Sequence, residues 1–164
     1  MTKVEFYQQL NVQVAAIISD ENDLIANMAN ISAILFEQLS EVNWAGFYRV
    51  LDNQLVLGPF QGKVACIRIP IGTGVCGTTV STKQTQRISD VHQFSGHIAC
   101  DASSNAEIVI PVNFNNEVIA VLDIDSVAFD RFDQEDQQGL ETLVKLLEQT
   151  LVNNDSKSNK SSSK

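Results

Sequence analysis

Three cysteines carry the reactive chemistry open to this chain: Cys66, Cys76 and Cys100. Cys100 stands in DVHQFSGHIACDASSNAE, residues 90–107, a polar stretch containing Gly and Ser, three residues after His97. A thiol in such a loop is reachable, and reachability matters because the thiolate is the reactive form. The alternative is a free cysteine that merely falls in a loop. Cys66 precedes an apolar strand. Cys76 follows Gly74 at the start of a short helix, where a helix N-terminus would lower its pKa; its neighbour Val75 fits burial equally well. No C-x-x-C occurs, so a dithiol motif of the oxidoreductase type is excluded. Zinc could draw on Cys66, Cys76, Cys100 and His97, but structural zinc sites contain a closely spaced ligand pair, and only His97 and Cys100 are that close. The expectation is redox-active thiols and no metal.

Carboxylates are the second signal. Val118–Asp125 would be a buried strand were it not for two acids near its end. Period-two alternation puts Asp123 and Asp125 on one face, with Ile119 and Val121 behind them. Glu107 opens the partner strand ahead of Ile108, Val109 and Ile110. Carboxylates on apolar strands cost desolvation energy unless they bind something. They are either strand-end charges in water or the lining of a pocket for a cation or amine. Trp44, the single tryptophan, is core packing or an aromatic wall for a small apolar group.

The elements that must position these groups can be read from pattern. Leu10, Val14, Ile17 and Ile18, then Leu24, Met28, Ile31 and Leu35, recur at helical spacing and predict two N-terminal helices, with N-cap oxygens in residues 19–23. Strands are predicted over 44–51 and 54–60 around an Asp52-Asn53 turn, over 68–71, and over 87–88. A short helix over 75–82 follows the Gly72-Thr73-Gly74 turn. A long polar loop spans 90–105, and such loops are often functional. A second hairpin joins 107–114 to 117–126 around Asn115-Asn116. Asp133 caps a last helix whose stripe is Leu140, Val144, Leu147 and Leu151. The fold class is α+β, an antiparallel sheet of about six strands with two N-terminal helices and one C-terminal helix.

Counting along the second hairpin gives a geometric expectation. With a strict two-residue turn Glu107 would pair with Ile124 and point away from both aspartates. A three-residue loop of Phe114, Asn115 and Asn116 would pair Asn113 with Glu117 and bring Glu107 opposite Asp123; a bulge further along could do the same. The opposite face would then hold Ile108, Ile110, Val112 and Phe114 with Val118, Ala120, Leu122 and Ile124.

Bulk properties bound the rest. The chain has 164 residues, about one domain, and 20 acidic against 11 basic side chains give a formal charge of −9. That balance argues against nucleic acid, which needs clustered cations, and against anionic membranes. The opening MTKVEFYQQL shows no signal-peptide pattern, and no stretch approaches the ~20 apolar residues of a bilayer span. A cytoplasmic protein is expected, with a polar tail from residue 153 to 164 too poor in apolar groups to pack.

Taken together, NWAGFY at 43–48, GVCG at 74–77, DVHQFSGHIACD at 90–101 and LDIDS at 122–126 resemble the free methionine-R-sulfoxide reductase family. The resemblance covers nearly the whole chain apart from the tail. It implies a GAF fold, one domain over 1–152 with 153–164 disordered, and reduction of free methionine-R-sulfoxide without metal or organic cofactor. By matching motif, Cys100 is the catalytic cysteine, Cys66 stands at the resolving position and Cys76 is the third cysteine, with the choice of resolving thiol left open. Trp44, Asp90, Glu107, Asp123 and Asp125 match substrate-pocket residues. Two departures, Ser95 where the family has Pro and Ala106 where it has Ser, touch no reactive group. Implied partners are free methionine sulfoxide, thioredoxin as reductant and a second copy in a homodimer. A GAF ligand-binding or redox-sensing module without turnover is the competing reading.

Overall fold

Helix caps and paired left-handed residues set the element boundaries. The computed structural model describes residues 1–96, 100 and 102–161; His97 lies outside them. α1 (Lys3–Ile18) starts in a Thr2–Glu5 capping box. α2 (Leu24–Gln38) starts at Asp23, whose side chain accepts a hydrogen bond from the Ala26 amide at 2.8 Å. β1 (Val42–Leu51) and β2 (Gln54–Gly62) are joined by Asp52-Asn53, both at positive φ, the conformation a two-residue hairpin demands. Then come β3 (Arg68–Pro70), α3 (Gly74–Thr82) and β4 (Gln86–Ile88). A single 3-10 turn (Val91–Gln93) breaks the long loop. β5 (Ala106–Phe114), β6 (Glu117–Ser126) and α4 (Gln134–Ser161) complete the chain. Asp133 caps α4, accepting from the Asp136 amide at 3.0 Å. The backbone of α4 continues past Val152 to Ser161, because an established helix extends by one hydrogen bond per residue.

The strands form one antiparallel sheet in the order β3-β2-β1-β6-β5-β4. α2 and α4 cover one face and α1 packs on them; Phe47, Ile108, Ile110, Leu122 and Ile124 form one apolar core there with Leu10, Met28, Leu35, Leu140 and Leu147. α3 lies against β5 and β6 on the other face, where Tyr48, Leu55, Val75, Cys76, Val109 and Val121 gather. This is the expected α+β arrangement. Among the described residues no helix is long and apolar enough to cross a membrane.

The second hairpin departs from the expected loop. Asn115 and Asn116, with φ of 51° and 64°, make a two-residue turn, and Phe114 pairs with Glu117. The three-residue loop is therefore wrong. The register shifts between Asn113↔Val118 and Val112↔Ala120, leaving Ile119 as the extra residue of a bulge. From there on Glu107 lies opposite Asp125, not Asp123. The bulge also reverses two side chains: Ile119 packs on the helix-covered face, and Val118 joins the cluster on the other. Ile119 thus does not stand behind the aspartates, whereas Val121 does.

Candidate active site

The ladder assembles the site row by row. Trp44, Asp125, Glu107 and Ile88 lie side by side across β1, β6, β5 and β4. The next row along is Gly46, Asp123 and Val109, and then come Tyr48, Val121 and Pro111. Directly opposed residues share a face, so Trp44, Tyr48, Glu107, Asp123 and Asp125 all project to the side away from the three long helices. Gly46 is small for a reason: a Cβ there would stand 2.3 Å from the Phe60 Cβ. Its absence lets Phe60 close over the strand and stack on Trp44 with ring centroids 5.1 Å apart; Tyr48 stacks on the same indole at 5.9 Å.

Two loops and α3 close this face into a small cavity. Its chemically distinctive lining is Trp44, Tyr48, Cys76, Glu107, Asp123 and Asp125, with Cys100 and Ser104 from the long loop. α3 is brought close by Gly77, where a Cβ would meet the Pro70 carbonyl oxygen at 2.5 Å; the Gly72 amide donates to the Gly77 carbonyl at 2.9 Å. That contact lowers Cys76 to the pocket floor. The loop carrying Cys66 hangs on the aromatic wall. Trp44 Nε1 donates to the Lys63 carbonyl at 3.2 Å, and Tyr48 Oη donates to the Cys66 carbonyl at 2.9 Å. The returning end of the long loop is clamped by Asn105, whose amide donates to the Ser126 carbonyl at 2.8 Å and whose Nδ2 donates to the Val127 carbonyl at 2.7 Å.

Cys66 and Cys100, far apart in sequence, are joined in a disulfide with Cα atoms 5.6 Å apart, an ordinary span for such a bond. The bond is half-buried at the cavity's edge. Cys76 remains a thiol, fully buried. The helix N-terminus does not lower its pKa: burial pushes the thiol well up, and the Asp123, Glu107 and Asp125 charges add to the effect. Burial likewise pushes Glu107 well above the usual carboxylate range, reinforced by the negative charges of Asp123 and Asp125. Asp123 is also raised by burial, while hydrogen bonds from Glu107, Cys76 and Asp125 work against the rise. Burial thus favours the protonated forms of Glu107 and Cys76, and at Asp123 the hydrogen bonds oppose the same shift. Asp123 Oδ1 is buried and has no hydrogen-bond partner among the described residues.

Cys66, Cys76, Cys100, Trp44, Glu107, Asp123 and Asp125 are thus brought together. Asp90 is not: its carboxylate caps the 3-10 turn, accepting from the His92 amide at 3.0 Å, and it lies outside the cavity lining. Sequence reasoning missed Tyr48. The alternation from Trp44 through Gly46 points to it, since period two puts residues 44, 46 and 48 on one face.

A sheet with its long helices on one side and a cavity walled by loops and the short α3 on the other defines the class. A GAF domain family model matches residues 26–152, so this is a GAF-domain protein. The chain is 57% identical over 157 residues to the free methionine-R-sulfoxide reductase of Escherichia coli (strain K12), covering 96% of this chain and 95% of that one. The reduced form of fRMsr from Staphylococcus aureus superposes with a TM-score of 0.87 at 52% identity, covering 88% of this chain and 94% of that one. Free methionine-R-sulfoxide reductase from Neisseria meningitidis, solved in complex with its substrate, gives 0.89 at 40% identity over 92% and 91%. The chain belongs to the free methionine-R-sulfoxide reductase family.

Proposed function

We propose that this protein reduces free L-methionine (R)-S-oxide to L-methionine through its cysteines. The observation that carries the reading is the placement of one half-buried disulfide, Cys66–Cys100, at the edge of a cavity floored by three carboxyl groups. In the reduced chain the Cys100 thiolate attacks the sulfoxide sulfur while Glu107, held protonated by burial, delivers its proton to the oxygen. The oxygen then passes from that sulfur to the Cys100 sulfur as the newly formed S–S bond breaks, so methionine leaves and Cys100 is left as a sulfenic acid. The Cys66 thiol displaces it as water, giving the disulfide seen here. Two electrons from an external dithiol protein such as thioredoxin reopen it. Val64 and Ile67, 89% and 66% exposed beside Cys66, offer that reductant an apolar landing. The steps need no metal or organic cofactor, and a reducing cytoplasm suits them.

Asp123 and Asp125 face the substrate's ammonium group, the feature that methionine inside a peptide lacks, and Trp44 faces its S-methyl. A homodimer belongs to the same reading; the groove between α1 and α4, where Val12 is 71% exposed, is the surface that supports it. The test is turnover of free methionine-R-sulfoxide with dithiothreitol. Cys100→Ser should abolish it, because a hydroxyl is a far poorer nucleophile near neutral pH. N-acetylation of the substrate should lower efficiency on the order of 10⁴-fold, since it leaves buried charges unpaired. Sustained turnover by Cys100→Ser would defeat the mechanism. Full activity on N-acetylated substrate would defeat the role given to the aspartates.

A further inference from the structure

We propose that Cys76, Glu107 and Asp123 form a binding site for a divalent cation of the zinc class, set in the floor of the cavity. The three residues come from α3, β5 and β6, and all are buried. One ligand atom from each, Cys76 Sγ and an oxygen from either carboxyl group, lies within 4.8 Å of the other two. A sulfur and two carboxylate oxygens suit zinc or cobalt. Magnesium and calcium require all-oxygen shells of higher coordination. Three protein ligands leave a fourth position open toward the cavity, the arrangement of an exchangeable site. The second, independent sign is Asp123 Oδ1, an acceptor more than nine-tenths buried with no hydrogen-bond partner among the described residues, on a side chain that lines the cavity.

The site is not the one that cysteine and histidine spacing suggests. Cys66 and Cys100 spend their sulfurs on each other in this state, so Cys76 supplies the thiolate. Ligation releases the thiol proton of Cys76 and the carboxyl proton of Glu107 to solvent, and no electron moves. The cation replaces the protons that hold these three groups together and restores the charge balance of the pocket floor. It is no part of the catalytic cycle proposed above. It occupies space that the substrate's ammonium group would need, so metal and substrate exclude one another, a consequence that rests on the proposed function.

The oxidised full-length protein allows a direct reading, because Cys76 is then its one thiol. Titration with Co²⁺ should raise a near-ultraviolet thiolate-to-cobalt charge-transfer band that saturates at one metal per chain, and added Zn²⁺ should abolish it. Cys76→Ser should lose the band. Glu107→Gln, which leaves the thiol untouched, should weaken cobalt binding by more than about tenfold, since even outer-shell partners of a metal ligand are worth about 10–100-fold. Cobalt binding without the band, or no binding at micromolar metal, would overturn the site with the wild type alone, whatever the variants' folding. With the band established, excess free methionine sulfoxide should displace it. A band that survives leaves the metal site standing and overturns the placement of the ammonium group instead.

Discussion

The two faces of the sheet are made by the same strands and are opposite in kind. On one, Phe47, Ile108, Leu122 and Ile124 are fully buried beneath α1, α2 and α4. On the other, at the alternate positions of the same strands, stand Trp44, Tyr48, Glu107, Asp123 and Asp125 around a cavity. A buried carboxyl raises the free energy of the fold until something binds it. The helix-covered face therefore supplies stability that the cavity face diminishes, and neighbouring residues of one strand should respond to substitution in opposite ways.

The largest effect belongs to the apolar face. Leu122→Ala should cost about 2–5 kcal/mol, read by urea unfolding, while the folded fraction keeps its kcat. Asp123→Asn, the next residue, should leave stability at neutral pH equal or higher and lower kcat/KM by about 10–100-fold, the value of one charge-assisted hydrogen bond of roughly 1.5–3 kcal/mol. If Asp123→Asn unfolds the protein as readily as Leu122→Ala, the division between the faces is false.

A pH series sharpens the contrast. Glu107 and Asp123 are raised by burial, so the folded state keeps protons that the unfolded chain releases. Their effect on stability is most favourable at or below the ordinary carboxylate range and declines as pH rises toward the folded values. Asp133, held down to about 2 mainly by its hydrogen bond to Lys3, works in the other direction: its contribution is present above the ordinary range and is lost as pH falls toward 2. Between pH 5 and 8 Asp133 is ionised in both states, leaving the cavity face to set the slope among these groups. The melting temperature of the ligand-free protein should fall across that window, and Glu107→Gln should flatten the fall. A steeper fall in the variant would count against the proton assigned to Glu107.

The smallest effect should come from deleting Ile119. Val112↔Ala120 and Asn113↔Val118 are already neighbouring pairs, so removal closes the bulge and keeps Glu107 opposite Asp125. Activity should persist, with a stability loss below that of Leu122→Ala because Ile119 is only partly buried. Inactivity of a well-folded deletion would show that the bulge itself aims the carboxyl groups.

That bulge also marks where pattern ceases to be sufficient. Turn chemistry is local: Asp52-Asn53 and Asn115-Asn116 tolerate the left-handed region, and Asp23 and Asp133 cap helices within three residues, so those elements were readable from the chain. The sharing of one face by Asp123 and Asp125 is equally local. A bulge is decided by competition between the two faces. Nothing around Val118 and Ile119 announces that Ile119 will turn to the helices and Val118 to the cavity. Asp90 shows a similar limit, because an acid beside a loop is equally suited to a pocket or a turn, and here the His92 amide claims it. For Cys76, helix position and burial pointed in opposite directions, and burial prevails because the residue is almost entirely shielded from solvent. Tyr48 escaped notice because an aromatic in a strand reads as core until its hydroxyl finds the Cys66 carbonyl.

The Cys66–Cys100 bond has a second consequence, in chain entropy. It joins residues 34 apart in sequence, and β3, α3 and β4 all lie within the closed loop. Closing a loop of that length deprives the unfolded chain of entropy worth about 4 kcal/mol at 25 °C, a large share of the roughly 5–15 kcal/mol that stabilises a typical domain. The bond acts on the unfolded chain, so oxidised and reduced chains differ in how freely they unfold. A protease that samples transiently opened molecules would meet the reduced chain far more often, and so the thiol state of the protein also sets its lifetime.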